Sequence, residues 1–179
     1  MLNLMHIPKS GGVALSHALH GYMQRMGHKS NLEALPLWPP IVTILRDPVE
    51  RWVSAWDMTQ QQRCPPEYGK WPSASDCALD PGALEWLEGY WGQLFVPATW
   101  WLRDADYARS RLWYICHTET LDEDWRTIRD AIGAVDCAMP PVGNGHRNAQ
   151  PGTKSLLTPE AVAAVRAYYA DDYELLEGL

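Results

Sequence analysis

The stretch that decides the fold is Leu2-Asn3-Leu4-Met5-His6-Ile7-Pro8-Lys9-Ser10-Gly11-Gly12-Val13-Ala14-Leu15. Leu2 to Ile7 is an apolar run that reads as a buried first strand. Pro8 to Gly12 reads as a turn. Beyond it Leu15, Ala18, Leu19, Tyr22, Met23 and Met26 fall at i, i+3, i+4, i+7, i+8 and i+11, which predicts an amphipathic helix stopped by Gly27. Glycines let backbone N–H groups crowd an anion. The helix start adds partial positive charge and Lys9 a full one. The Walker A pattern GxxxxGK[ST] is absent. The plain alternative is an ordinary strand-to-helix turn with an exposed lysine.

Further along, Ile41 to Leu45 reads as a second buried strand, ending at Arg46. Open α/β sheets bind ligands at the carboxyl ends of their strands. Asp47-Pro48-Val49-Glu50 then has an N-cap Asp, Pro at the first helical position and Glu three residues after the cap, so a helix starts there. Val49, Trp52, Val53 and Trp56 form its inner face. Ser54 lies two turns past Asp47 on roughly the same side, so Arg46 and Ser54 can converge on one phosphate. Arg51 reads as structural, a solvated partner of Asp47 or Glu50.

Residues 61–82, with four prolines and two glycines, predict a long surface excursion. Residues 83–103 predict helix, Leu112 to Cys116 a third strand, and Leu121, Trp125, Ile128 and Ile132 another helix. Residues 139–157 predict a loop. Thr158-Pro159-Glu160 caps a last helix with Val162, Val165, Tyr169 and Leu176 inward. Alternating strands and helices predict an α/β fold, a parallel sheet flanked by helices, in one domain over 1–179.

Composition narrows the function. The 179 residues are 46% hydrophobic and 21% charged, with formal net charge -7. No basic stripe marks a nucleic-acid partner. No run reaches the roughly 18 apolar residues of a membrane span, and the amino-terminal run lacks a signal peptide's basic start and long apolar region. A soluble, cytoplasmic protein is expected. Cys64, Cys77, Cys116 and Cys137 form no CxxC pair, so free thiols are expected, with a Cys64–Cys77 bridge as the alternative. No spacing suits zinc.

His6-Ile7-Pro8-Lys9-Ser10-Gly11-Gly12 and Arg46-Asp47-Pro48-Val49-Glu50-Arg51-Trp52-Val53-Ser54 together resemble the two donor loops of sulfotransferases that use 3′-phosphoadenosine-5′-phosphosulfate (PAPS). That family writes them approximately as HIPKTGGTS and RDPVERxxSxY. Further segments are similar to others of the family. His117 to Trp125 resembles a strand-end E-x-L-x-x-D segment, Asn144 to Lys154 a donor-covering loop, and Tyr169 to Leu175 a closing Y-x-x-D-[FY]-x-L helix. The likeness is closest to the compact branch that includes carbohydrate sulfotransferases. It implies a P-loop-nucleotide-hydrolase-like sulfotransferase fold. It also implies transfer of a sulfuryl group from PAPS, leaving the bisphosphate PAP, to a hydroxyl or amine of a carbohydrate-like or small acceptor, without a metal.

By this resemblance Lys9, Ser10, Gly11, Gly12 and Val13 hold the 5′-phosphosulfate, while Arg46 and Ser54 hold the 3′-phosphate, with Arg147 reaching it from the late loop beside Lys154. Val13 and Ala14 depart from the family's hydroxyl residues, which removes one or two hydrogen bonds of roughly 0.5–1.5 kcal/mol each. In-line transfer needs positioning and charge neutralisation on the leaving oxygen, for which Lys9 is the candidate. His28 is the expected base, matching a G-H-x-x segment of related enzymes, with Glu33 as alternative. His17 and His20 read as solvated and His6 as packed; His117 and His146 have no role. Trp52 and Trp56 read as core. The tryptophans from Trp71 to Trp113 form either an acceptor wall or core filling. A PAPS- or PAP-binding module without turnover, or a small phosphotransferase, are the alternative functions.

Overall fold

The structure is a computed structural model that describes residues 1–26, 31–35, 39–61, 70–138 and 155–179. Four parallel strands form one sheet in the order β2-β1-β3-β4. They are β1 (Leu2–Met5), β2 (Met23–Arg25), β3 (Ile41–Leu45) and β4 (Leu112–His117). β1 and β3 are buried at every residue. Parallel strands covered on both faces carry continuous apolar runs, which is why these two are plain in the sequence.

Side chains alternate across β3. Val42 and Ile44 join Leu2, Leu4, Leu15, Trp125 and Ile128 on one face. Ile41 and Leu45 join Met5, Ile7, Leu32, Trp101 and Leu175 on the other. The first face is covered by α1 (Gly12–Ala18) and α7 (Leu121–Ala131). The second is covered by α5 (Ala98–Leu102), α6 (Ala105–Arg111) and α9 (Ala170–Gly178). A third cluster is formed by helices alone, from α2 (Pro48–Gln61), α3 (Ala74–Leu79), α4 (Ala83–Trp91) and α8 (Pro159–Tyr168). Trp52, Trp56, Trp71, Phe95 and Tyr169 fill it. The rings of Trp52 and Trp56 stack at 5.9 Å.

Four expectations need correction. The helix expected to reach Met26 ends at Ala18. Gly21, at φ +88°, turns the chain, and Met23–Arg25 pairs with β1 as a strand. Met23 packs into the same cluster as α1, so its place in the helical period is a coincidence of spacing. The surface excursion over 61–82 contains α3. Ser73 caps it through Asp76 N–H at 3.2 Å, and Trp71 and Cys77 are buried in the helical cluster, where Trp71 meets Trp86 of α4. The helix over 83–103 breaks between α4 and α5, where Gly92 adopts φ +40°. The last helix is two, α8 and α9, meeting at Tyr169. Leu176 packs inward as expected, partly buried against the cluster that buries its neighbour Leu175.

Asp47 caps α2 as its sequence predicts, accepting from Glu50 N–H at 3.0 Å. Cys77, Cys116 and Cys137 are free thiols; Cys64 lies outside the described residues. Among the described residues no helix is long and apolar enough to cross a membrane.

Candidate functional site

β1 has β2 on one side and β3 on the other, so the strand order reverses between β1 and β3. At such a switch point the carboxyl ends of the strands border a crevice. The loop after β1 carries Lys9, Ser10 and Gly11 to one lip. The end of β3 carries Arg46 to the other. Arg46 Nη1 donates to the Lys9 carbonyl at 3.0 Å and Nη2 to Glu50 Oε2 at 3.2 Å. The two cations predicted from separate motifs are therefore brought together.

The loop's conformation follows from its residues. Lys9 and Gly11 have φ of +67° and +89°, on either side of Ser10. Turns of this kind let successive backbone N–H groups make an anion-binding concavity. Gly12 is required by contact: a Cβ there would lie 2.8 Å from His6 Nε2 and closer still to the ring carbon beside it. His6 is packed as expected, and its imidazole is the floor under Gly12.

Ser10 is 1% exposed, and its Oγ has no hydrogen-bond partner among the described residues. The amides of Gly11 and Gly12 likewise donate to no acceptor among them. Buried donors without acceptors cost about 1–3 kcal/mol each, so such a cluster marks a place for an acceptor-rich group. The charge agrees. Burial, and then the neighbouring Arg46, hold the Lys9 ammonium below the ordinary lysine pKa, while Asp57 opposes them. Two cations and several bare donors, in a partly desolvated loop, are the chemistry that an anion would suit.

A third element meets this loop. Thr118 Oγ1, just past β4, lies 3.0 Å from the Ser10 carbonyl and 3.0 Å from that of Leu45. Next to it, Glu119 accepts from Asp47 N–H at 3.5 Å. Asp47 Oδ2 also accepts from Tyr173 Oη of α9 at 3.0 Å, and burial with the Asp47 charge pushes that phenol up to about 12.

Of the other expected residues, Val13 is half-buried in the first turn of α1. Ser54 is half-buried on α2, and its hydroxyl bonds to no described residue. Glu50, Ser54 and Asp57 share one stripe of α2, at i, i+4 and i+7. Asp57 holds Ser155 at the end of the late loop, accepting from its Oγ at 2.7 Å and its N–H at 3.3 Å. Glu33 is exposed and paired with Arg103 at 3.0 Å. His17 and His20 are exposed. His28, His146, Arg147 and Lys154 lie outside the described residues.

Arg51 corrects its expectation. It is structural but 2% exposed, not solvated. It donates to the Leu94 and Val96 carbonyls at 3.3 and 2.8 Å, and lies 3.8 Å from Asp172. The tryptophan region also divides. Trp71 and Trp101 are core, whereas Trp100 and Trp113 are 45% and 43% exposed. Sequence reasoning gave no part to Asp57 or Thr118. Asp57 was visible as the residue one turn past Ser54; Thr118 had no local signal.

No family model, no curated protein and no solved structure matches the chain.

Proposed function

We propose that this chain is a PAPS-dependent sulfotransferase of the P-loop-nucleotide-hydrolase-like sulfotransferase fold, acting on a hydroxyl or amine of a carbohydrate-like or small acceptor. The observation that carries the reading is the cluster of unsatisfied donors at Ser10, Gly11 and Gly12 beside Lys9 and Arg46. Its donors fit a phosphate- or sulfate-sized anion, and it occupies the motif that resembles the family's 5′ loop. PAPS, when bound, supplies the sulfuryl group and a leaving bisphosphate.

Within this reading Ser10 and the neighbouring amides grip the 5′ anion. Lys9 stands next to them to neutralise charge on the leaving phosphate oxygen. An anion there would also relieve the Lys9–Arg46 repulsion that, after burial, lowers the lysine pKa. Arg46 and Ser54 take the 3′-phosphate, which distinguishes this donor from ATP. His28 takes the acceptor proton.

The test is calorimetric binding of adenosine 3′,5′-bisphosphate beside ATP without magnesium, in wild type and Arg46→Ala. Tight bisphosphate binding, weak ATP binding and loss in the variant support the reading. Preference for ATP, or no binding, removes it. His28→Ala should abolish turnover and spare donor binding; full activity in that variant removes the histidine from the mechanism.

A further inference from the structure

The hydrogen bonds of Thr118 carry a role that neither motif reveals. Its backbone N–H donates to the Leu45 carbonyl at 2.8 Å. That carbonyl is thus already served, and the single hydroxyl proton of Thr118 can go to Ser10 O at 3.0 Å. No other described group donates to that oxygen. The contact spans 108 residues of sequence and ties the loop after β1 to the turn after β4.

A trans peptide points its C=O and N–H in opposite directions. Holding the Ser10 carbonyl toward Thr118 therefore turns the Gly11 N–H away from it. Arg46 does the same one peptide earlier, holding the Lys9 carbonyl and so turning the Ser10 N–H. Two successive amides of the loop, those of Ser10 and Gly11, thus owe their direction to two side chains from neighbouring strand ends.

Thr118 is itself held. Asp124, 8% exposed, accepts from His117 N–H at 2.8 Å, Thr120 Oγ1 at 2.9 Å and Tyr114 Oη at 3.0 Å. That fixes the turn on both sides of Thr118. Leu121, the first residue of α7, closes on Gly11 from the same direction: a Cβ on Gly11 would stand 3.3 Å from Leu121 Cδ2.

We infer that Thr118 is a positioning residue of the anion site, its hydroxyl setting the peptide between Ser10 and Gly11 so that the loop's amides face the bound anion. Its functional part rests on the reading of the loop as a donor site.

The experiment compares wild type, Thr118→Val and Thr118→Ser. Valine keeps the shape and loses the proton; serine keeps the proton. The first readout is hydrogen exchange at the Ala14 and Leu15 amides, which donate to the Gly11 carbonyl at 3.0 and 3.4 Å. The second is affinity for adenosine 3′,5′-bisphosphate. Thr118→Val should speed exchange and weaken binding by about two- to tenfold, the net worth of one hydrogen bond. Thr118→Ser should match wild type in both. A valine variant like wild type, or a serine variant as impaired as valine, overturns the inference. If Thr118→Val does not fold, Thr118→Ser decides: loss of protection or affinity there overturns it. If wild type binds no bisphosphate, the donor reading fails, while exchange still decides whether Thr118 sets the loop.

Discussion

The guanidinium of Arg46 donates to the main-chain oxygen of Lys9 at 3.0 Å, so each cation of the site depends on the other element for its place. A guanidinium can span the Lys9 carbonyl and the Glu50 carboxylate because it is a rigid fork of donors. An ammonium is a point charge and cannot reproduce both. Arg46→Lys is therefore expected to lose bisphosphate affinity by about tenfold or more despite keeping the charge. Calorimetry at fixed salt checks this. An Arg46→Lys variant that binds like wild type would mean that charge alone, not placement, matters at this position.

Lys9 gives a prediction with opposite signs for stability and function. Its folded pKa lies below the ordinary lysine value, chiefly through burial. The unfolded chain then binds more protons than the folded one in the window below about 10.5, so this group's contribution to stability rises with pH. At neutral pH the charged lysine is a cost to the ligand-free protein. Lys9→Met should thus unfold at no lower urea concentration than wild type. Any gain should be largest near neutrality and narrow as pH approaches the ordinary lysine value. Anion binding should fall by about ten- to a hundredfold, the worth of a charged hydrogen bond. A variant markedly less stable than wild type at pH 7 would show that Lys9 is there for the fold.

What the sequence disclosed and what it hid divide along contact range. β1, β3 and the start of α2 were legible because buried parallel strands and helix caps are written in adjacent residues. So were Lys9, Ser10 and Arg46, which sit where a strand meets a turn. β2 was not, since it is three residues long and buries only Met23, which continued the helical period of α1. The capping pair Ser73 and Asp76 was masked by the prolines and glycines around it. The Thr118–Ser10 and Arg51–Asp172 contacts join elements far apart in the chain, and no spacing rule reaches them.

Asp172 is expected to be the costliest single loss in the carboxy-terminal region. It is fully buried and accepts from Ala98 N–H at 2.7 Å and from the N–H and Oγ1 of Thr99 at 2.9 and 3.2 Å. It is also the nearby carboxylate for buried Arg51. Removing one member of a buried ion pair leaves an uncompensated charge, at about 3–5 kcal/mol. Urea denaturation of Asp172→Ala should show a loss of that size. A loss under about 1 kcal/mol, the level of an exposed pair, would contradict the burial of this network.

Gly12 and His6 make the last prediction, because their relationship is steric and can be tested as a pair. An added methyl at position 12 would run into the imidazole, which is itself 6% exposed and has little room to retreat. Overpacking of this kind costs about 1–3 kcal/mol. Gly12→Ala should therefore destabilise the protein and weaken bisphosphate binding, since any relief must come from moving the loop or its floor. His6→Ala removes the obstacle. In the double variant the added cost of Gly12→Ala should shrink, giving a coupling of at least about 0.5 kcal/mol in a double-mutant cycle followed by urea unfolding. Strictly additive losses would mean that Gly12 is required by its backbone rather than by the ring beneath it. In that case His6 has no part in shaping the anion loop.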